Sequence, residues 1–320
     1  WKHAPYGAEV EQDPVHGPVM YGRGVAVSKS DFATYAFALE ALRECASRHG
    51  GLSGSIELHL TYDEETGGDI GPRWLLEQGL SKPDLAICAG FGYAVTTAHN
   101  GCLHLAVEVT GRIGHAAMPH AAIDALEAAN GILTDLYAFR AQLATRQSAT
   151  SGITHPTLNV GLIRGGVNTN VVPDQVELRI DRRIIPEEDP EAAEQELRAL
   201  ISAAASRYPG VSLDVRRVLL ALPLVRLPGA TPMIDALKRH GTHFFGTEVI
   251  EHGVPLYTDA RHYTAAGIPT VLYGAGPRTL QEAGGHGADE CLRMEDMRKA
   301  TCVVACALAD LLCPPRGDAS

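Results

Sequence analysis

Two carboxylates stand side by side at Glu64 and Glu65, inside the run from Thr61 to Gly68. The residues before them, Ile56 to Thr61, alternate between apolar and polar, which predicts a strand that ends at the pair. Adjacent residues leaving a strand point in roughly opposite directions, so the two side chains cannot face one atom unless the chain turns. One carboxylate could then hold a cation while the other takes a proton from a bound water, as metal-assisted hydrolysis requires. The competing interpretation is a solvated acidic turn.

A histidine near the other end of the chain also has a suitable setting for metal chemistry. His286 stands between Gly285 and Gly287, after a glycine-rich loop, where small neighbours would let its ring approach an ion. An ordinary loop histidine is the alternative.

The cysteines show no metal or disulfide framework. There are seven, an odd number, without a repeating spacing, which favours reduced packing residues and a cytoplasmic location. Cys302 and Cys306 lie one helical turn apart and could share a metal, but their small apolar neighbours favour packing.

Composition excludes other classes of function. The 27 basic and 38 acidic residues give a net charge of −11, which argues against a nucleic-acid partner and is compatible with a small-molecule substrate. No apolar run approaches the length of a membrane span. A chain of 320 residues is long enough for about two domains.

The elements that must position these residues fall into two patterns. Residues 100–218 read as strand, helix, two strands, helix and strand, a βαββαβ order that predicts a small α+β sandwich with helices on one face of an antiparallel sheet. Residues 1–99 and 219–320 read as one α/β domain, with helices near 31–48, 72–79, 233–240 and 294–312 and buried strands at 85–88 and 270–274. The middle segment is therefore expected to be an inserted domain.

Seven short motifs occur in a fixed order along almost the whole chain. They are Tyr21 to Gly24, Asp63 to Gly68, Gly111 to His115 followed by Pro119, Asn170 to Pro173, Asp181 to Arg183, Thr258 to Arg261, and Gly285 to Gly287. The series resembles the metallopeptidase and amidohydrolase family of acetylornithine deacetylase, succinyl-diaminopimelate desuccinylase, aminoacylase and the carboxypeptidase G type enzymes. The resemblance implies a zinc-peptidase-like catalytic domain with an inserted lid and dimerisation domain, a homodimer, and hydrolysis of an amide in an N-acyl amino acid or small peptide.

The resemblance also implies roles for six residues. Glu64 would be the general base, and Glu65 and His286 would be metal ligands. His115 would donate to the oxyanion in the active site of the partner subunit. Asn170 and Arg183 would hold the substrate's carboxylate and amide. A turn histidine is the alternative for His115, and an ordinary surface charge is the alternative for at least one arginine in the run that ends at Arg183.

Three departures from the family pattern concern its two-metal centre. Val27 and Phe91 stand where the family has metal-binding carboxylates, and the family's His-x-Asp segment, which lies upstream of the position of Trp1, is not in this sequence. We therefore expect one divalent ion at most, zinc-like and weakly held, unless an aspartate supplies a third contact; the candidates are Asp31, Asp69 and Asp259. A catalytically silent homologue that keeps the cleft for binding, and a one-metal hydrolase with relocated ligands, are the alternative functions.

Overall fold

The computed structural model describes residues 1–48, 50–279 and 281–313. The chain divides into two compact units, the first comprising 1–98, 225–253 and 258–320 and the second 99–224 and 254–257. The domain boundaries expected from the sequence, 1–99 with 219–320 and 100–218, stay a prediction, since a compact unit need not fold independently.

The elements of both units follow in chain order. The helices are α1 (Lys29–Arg48), α2 (Pro72–Glu77), α3 (Ala125–Leu143), α4 (Pro190–Ala205), α5 (Thr231–Phe245), α6 (Ala260–Ala265) and α7 (Met294–Leu312). The strands are β1 (Glu9–Asp13), β2 (Gly17–Tyr21), β3 (Ala86–Cys88), β4 (Ala94–His99), β5 (Gly101–Thr110), β6 (Gly114–His115), β7 (Thr157–Gly165), β8 (Val171–Val172), β9 (Gln175–Ile184), β10 (Ser212–Ala221), β11 (Ile250–Val254), β12 (Thr270–Leu272) and β13 (Cys291–Arg293).

The first unit is built around a sheet of order β11-β4-β12-β3, in which β12 runs parallel to β3 and antiparallel to β4. Its core combines β12 with the apolar faces of α5 and α7, including Val271, Leu237 and Val303, all with no exposed surface. Burying such side chains stabilises the unit by about 1.5 to 3 kcal/mol each. A second, smaller sheet joins β1, β2 and β13. The mixed α/β character expected from the sequence is confirmed.

The second unit has an antiparallel sheet of order β10-β5-β9-β7. Leu103, Leu105 and Val107 alternate along β5 and pack in one core with α3 and α4. Both helices begin at an aspartate whose carboxylate accepts backbone N–H groups, Asp124 for α3 and Asp189 for α4. The predicted βαββαβ order is present, with the short strands β6 and β8 as additions.

The predicted strand at Ile56 to Thr61 is wrong. Alternation reports one-sided burial, but a strand also needs a neighbour that accepts its backbone hydrogen bonds, and residues 55–61 pair with none of the described strands. Side chains attach the segment instead, since the Tyr263 hydroxyl lies 2.7 Å from His59 Nδ1 and Ser81 Oγ donates to Glu57 at 2.6 Å.

No helix within the described ranges is long and apolar enough to cross a membrane.

Candidate functional site

The turn that carries the two adjacent carboxylates is shaped by the aspartate before them. Glu64–Thr66 form one turn of 3-10 helix that ends at Gly67 with φ 114°. The Asp63 carboxylate accepts the N–H groups of Ile70 at 2.8 Å and Gly71 at 3.1 Å. Asp63 is buried, so its role is to fix the loop, leaving the two glutamates to project from it.

A second anchor comes from α6. The Arg261 guanidinium donates to the Gly67 carbonyl, and His262 Nε2 lies 2.9 Å from the same oxygen. Gly68 has φ 67°, and a Cβ there would overlap the Asp259 carboxylate. The motif at Thr258 to Arg261 therefore braces the turn, and the glycine pair is needed for this close approach.

The two glutamates have different environments, as expected if the chain turns between them. Glu64 is half-buried, and burial, together with the nearby charges of Asp259 and Glu65, raises the pKa of Glu64 to about 7. The Glu65 side chain is 81% exposed. Burial also raises the pKa of Asp259 to about 6. The pKa of Glu64 thus lies near neutral pH, where a carboxylate can both accept and release a proton.

His286 lies close to the exposed member of the pair. Its backbone is left-handed, with φ 62°, its side chain is 85% exposed, and Nε2 is 3.8 Å from Glu65 Oε1. Its loop is tied to the turn after β2, because Arg23 donates to Glu290 at 3.0 Å and to the Gly287 carbonyl at 2.8 Å. Glu290, which sequence reasoning missed, also accepts the N–H of Ala26 at 3.1 Å.

Among the described residues of the first unit, Glu65 and His286 place donor atoms close enough to share one metal ion. A carboxylate oxygen and an imidazole nitrogen 3.8 Å apart can contact a shared ion. Val27 and Phe91 offer no side-chain donor atom.

The three aspartates considered as a third metal ligand differ in burial and in the groups to which they are already bonded. Asp31 is fully buried and accepts N–H groups from Ser28 at 3.0 Å and Ala275 at 2.7 Å, and burial raises the pKa of Asp31 to about 7. Asp69 pairs with Arg73 at 3.2 Å. Asp259, 14% exposed beside the turn, lies 4.0 Å from His262 Nε2. Asp31 is therefore a structural carboxylate.

The second unit brings His115 and Asn170 together. His115 lies in β6, opposite Val171 of β8, and the N–H of Ala116 donates to the Asn170 carbonyl at 3.0 Å. The exposed ring of His115 accepts the N–H of Ala117 at Nδ1, 3.1 Å away. In the neutral ring this acceptor role assigns the proton to Nε2, which is then free to donate.

Arg183 lies on β9, in a different ladder from His115. Its Nε donates to Asp181 Oδ1 at 2.9 Å and its Nη2 to Oδ2 at 3.1 Å, a two-pronged pair. The neighbouring Arg182 has no exposed surface and pairs with Glu188 at 2.7 Å, so it is a core residue.

Three side chains that the sequence analysis did not connect with one another converge beside Arg183. Cys102, His104 and Asp181, hereafter the Cys-His-Asp cluster, place one ligand-type atom each within 4.8 Å of the others. Hydrogen bonds with Asp181 and Cys102 raise the pKa of His104 to about 9. Burial by itself would raise the pKa of the Asp181 carboxyl, but hydrogen bonds from His104 and Arg183 outweigh it and lower that pKa. In the sequence, the Cys-x-His spacing, which places both side chains on one face of a strand, was the feature that could have indicated this cluster.

Comparison with known proteins shows the family. A family described as a peptidase dimerisation domain matches residues 97–209. Acetylornithine deacetylase from Proteus mirabilis is 29% identical over 277 residues, which are 86% of this chain and 67% of that protein. Acetylornithine deacetylase from Erwinia tasmaniensis is 30% identical over 279 residues, 86% of this chain and 68% of that protein. The chain belongs to the acetylornithine deacetylase family.

Solved structures share the fold of this family at lower identity. An M20 family metallo-carboxypeptidase from Sulfolobus solfataricus has a TM-score of 0.72 at 17% identity, covering 96% of this chain and 80% of that one. Human carnosine dipeptidase 1 has a TM-score of 0.68 at 17% identity, covering 97% and 76%. The predicted family, that of metal-dependent hydrolases acting on amide bonds, is confirmed. The chain spans about two thirds of the acetylornithine deacetylases quoted above.

Proposed function

We propose that this chain hydrolyses the amide bond of an N-acyl amino acid or small peptide, with Glu64 as general base. The observation that carries the proposal is the pairing of unlike carboxylates. Glu64 is half-buried with its pKa raised to about 7, and its neighbour Glu65 lies exposed, 3.8 Å from His286. A base whose pKa is near the working pH combines availability with driving force for proton transfer.

Glu65 and His286 are the residues that would hold a divalent ion, and we propose zinc. When bound, such an ion polarises the scissile carbonyl and makes water more nucleophilic. Glu64 accepts the proton of the attacking water on its carboxylate and returns it to the leaving amine nitrogen, so the side chain ends each turnover unprotonated. Its burial keeps bulk water from competing for that proton.

His115 is proposed as the donor to the oxyanion, acting in the active site of the partner subunit as the family resemblance implies. Its Nδ1 accepts a backbone N–H, so Nε2 carries the proton of the neutral ring and can donate it. Asn170 and Arg183 are proposed to hold the substrate's amide and carboxylate. Asn170 directly precedes β8, the strand that pairs with β6. Arg183 already pairs with Asp181, which would fix the plane of its guanidinium.

A homodimer through the second unit is part of the proposal. The matching family is described as a dimerisation domain, and β7 is an edge strand with Ile163 51% exposed beside the exposed Leu126 of α3. A bare edge strand with apolar neighbours is a liability unless paired. We also propose a cytoplasmic location, because all seven cysteines are free thiols.

The hydrolase proposal is tested with N-acetyl amino acids and dipeptides and the Glu64→Gln variant. We expect turnover with at least one substrate and a loss of at least about a hundredfold on substitution, the usual scale for a general base. Glu77→Gln, an exposed glutamate of α2, serves as the control. Unchanged turnover in Glu64→Gln would contradict the assignment.

The dimer is tested by light scattering on the full chain and on the Ile163→Asp variant. A charge at the exposed edge position should shift the mass toward one chain, while Val10→Asp, a similarly exposed apolar site in the first unit, should leave it unchanged. A monomeric full chain would rule out the dimer.

A silent homologue is the second candidate, favoured by Val27 and Phe91, which supply no ligand. Substrate binding without turnover in the assay above, with metal present, would support it.

A further inference from the structure

The Cys-His-Asp cluster stands on two internal strands of the second unit, and in the hydrolysis proposed above only its Asp181 has a part, that of orienting Arg183. Its strands β5 and β9 are both internal, each held by ladders on two sides. His104 is paired directly with Asp181, and Cys102, two residues before His104, lies on the same face of the sheet. That face is opposite the one on which Leu103 and Leu105 pack with α3 and α4. The backbone thus fixes all three side chains.

The distances within the cluster match the edges of a metal coordination shell. Cys102 Sγ lies 3.2 Å from His104 Nε2, Nε2 lies 3.0 Å from Asp181 Oδ2, and Sγ lies 3.9 Å from Oδ2. In a tetrahedral zinc site with bonds of about 2.0 to 2.3 Å, ligand atoms are separated by roughly 3.3 to 3.6 Å. The three atoms need to shift by only a few tenths of an ångström to enclose an ion.

The three ligand-type atoms already face one another as hydrogen-bond partners. His104 Nε2 lies within reach of both Cys102 Sγ and Asp181 Oδ2, yet one ring nitrogen carries a single proton or a single lone pair. A cation at the centre would bond to all three atoms at once. We propose that Cys102, His104 and Asp181 form a site for a thiophilic divalent ion such as Zn²⁺, with water in the fourth position.

Charge and exposure support this assignment. On binding, the Cys102 thiol and the ligating Nε2 of His104 each give a proton to solvent, and the thiolate and the Asp181 carboxylate together balance the two charges of the ion. Arg183 donates to both oxygens of the Asp181 carboxylate, including the proposed ligand atom Oδ2, and such hydrogen bonds orient a ligating group. Cys102 is buried, while His104 and Asp181 are 37% and 27% exposed. The ion would enter from the side of these two residues.

The test measures cobalt and zinc binding by the full chain after metal removal with a chelator. It is made in a Glu65→Gln, His286→Ala background, so that the donors of the first unit do not contribute. We expect one equivalent of Co²⁺ with a thiolate-to-cobalt charge-transfer absorption. Cys102→Ser should abolish this absorption and weaken zinc binding by more than the roughly tenfold to hundredfold typical of losing an outer partner.

Cys302→Ser, at a half-buried cysteine of α7, is the matched control and should retain the absorption. If Cys102→Ser does not fold, His104→Gln, at a half-exposed position, replaces it and should lower zinc affinity at least about tenfold. No charge-transfer absorption in the parent chain, an absorption that survives in Cys102→Ser, or unchanged affinity in His104→Gln would each overturn the site. None of these results depends on hydrolytic activity.

Discussion

The Glu65–His286 pair and the Cys-His-Asp cluster offer similar donor atoms, but different parts of the fold support them. Both side chains of the pair are more than 80% exposed, on a 3-10 turn and a left-handed loop residue. The three residues of the cluster rise from two internal strands with donor atoms already in contact. The pair was visible in the order of motifs along the chain, whereas the cluster became visible only through strand register.

This difference shows that exposed side chains on loops keep their positions only when a buried residue nearby holds the loop in place. Asp63 fixes the turn before Glu65, and Glu290 fixes the loop after His286, each by accepting backbone N–H groups. A sheet needs no such anchor, because its ladders hold neighbouring side chains in register. We therefore expect the pair to respond strongly to single substitutions and the cluster to keep its geometry until a ligand itself is removed.

Removing one member of the pair should give the largest effect. In the otherwise unchanged chain, Glu65→Gln should weaken the first unit's metal binding by at least about tenfold, because an amide oxygen carries no charge. The measurement is elemental analysis with calorimetric titration. Glu64→Gln should retain metal while losing turnover, and the reverse pattern would show that the two carboxylates have exchanged roles.

Carboxylates introduced at positions 27 and 91 should raise metal affinity, an effect opposite in sign to that of Glu65→Gln and intermediate in size. Val27→Asp with Phe91→Glu should raise metal affinity several-fold or more, since added carboxylates attract a divalent ion and offset the mutual repulsion of two cations. The matched control is Val27→Asn with Phe91→Gln, which adds oxygen without charge. Two tightly bound ions in the first unit before any substitution would contradict the one-ion interpretation.

The smallest effect on metal binding is expected from the buried carboxylate of Asp31, which acts on the pH dependence of folding stability. Because burial raises the pKa of Asp31 to about 7, the folded chain binds a proton there more tightly than the unfolded chain. This contribution to stability is present at low pH and is lost as pH rises from about 4 through about 7. Asp31→Asn should therefore flatten the pH dependence between pH 5 and pH 8 by on the order of 2 to 3 kcal/mol.

Urea unfolding at pH 5 and pH 8 measures this change. Asp69→Asn, at an exposed aspartate paired with Arg73, is the control and should follow the parent chain. Parallel curves for the parent chain and Asp31→Asn would show that Asp31 keeps an ordinary pKa.

Periodicity along the chain was enough for the long elements. The range Met294–Leu312 of α7 agrees with the predicted helix, and the order of the second unit follows the predicted βαββαβ pattern. The segment at Ile56 to Thr61 failed because its alternation carries no information about a pairing partner. The hairpin of β1 and β2 was missed, since Pro18 and Gly17 weaken its strand signal.

The site shows a similar division. The series of motifs identified Glu64, Glu65 and His286, which the structure brings into one unit. It did not identify Glu290, whose partner Arg23 is 267 residues away, or the contact of His104 with Asp181 across 77 residues. Contacts at that separation depend on tertiary packing, which local patterns do not encode.

The left-handed backbone at His286 also bears on how the chain can evolve. At φ 62° glycine has no steric cost and asparagine little, so the imidazole can be lost while the loop keeps its shape. Mutational drift at this position would therefore be nearly neutral for stability, and selection for the side chain's chemistry would be the force that retains it. A descendant of this chain would lose the proposed ligand His286 in one codon change and still fold.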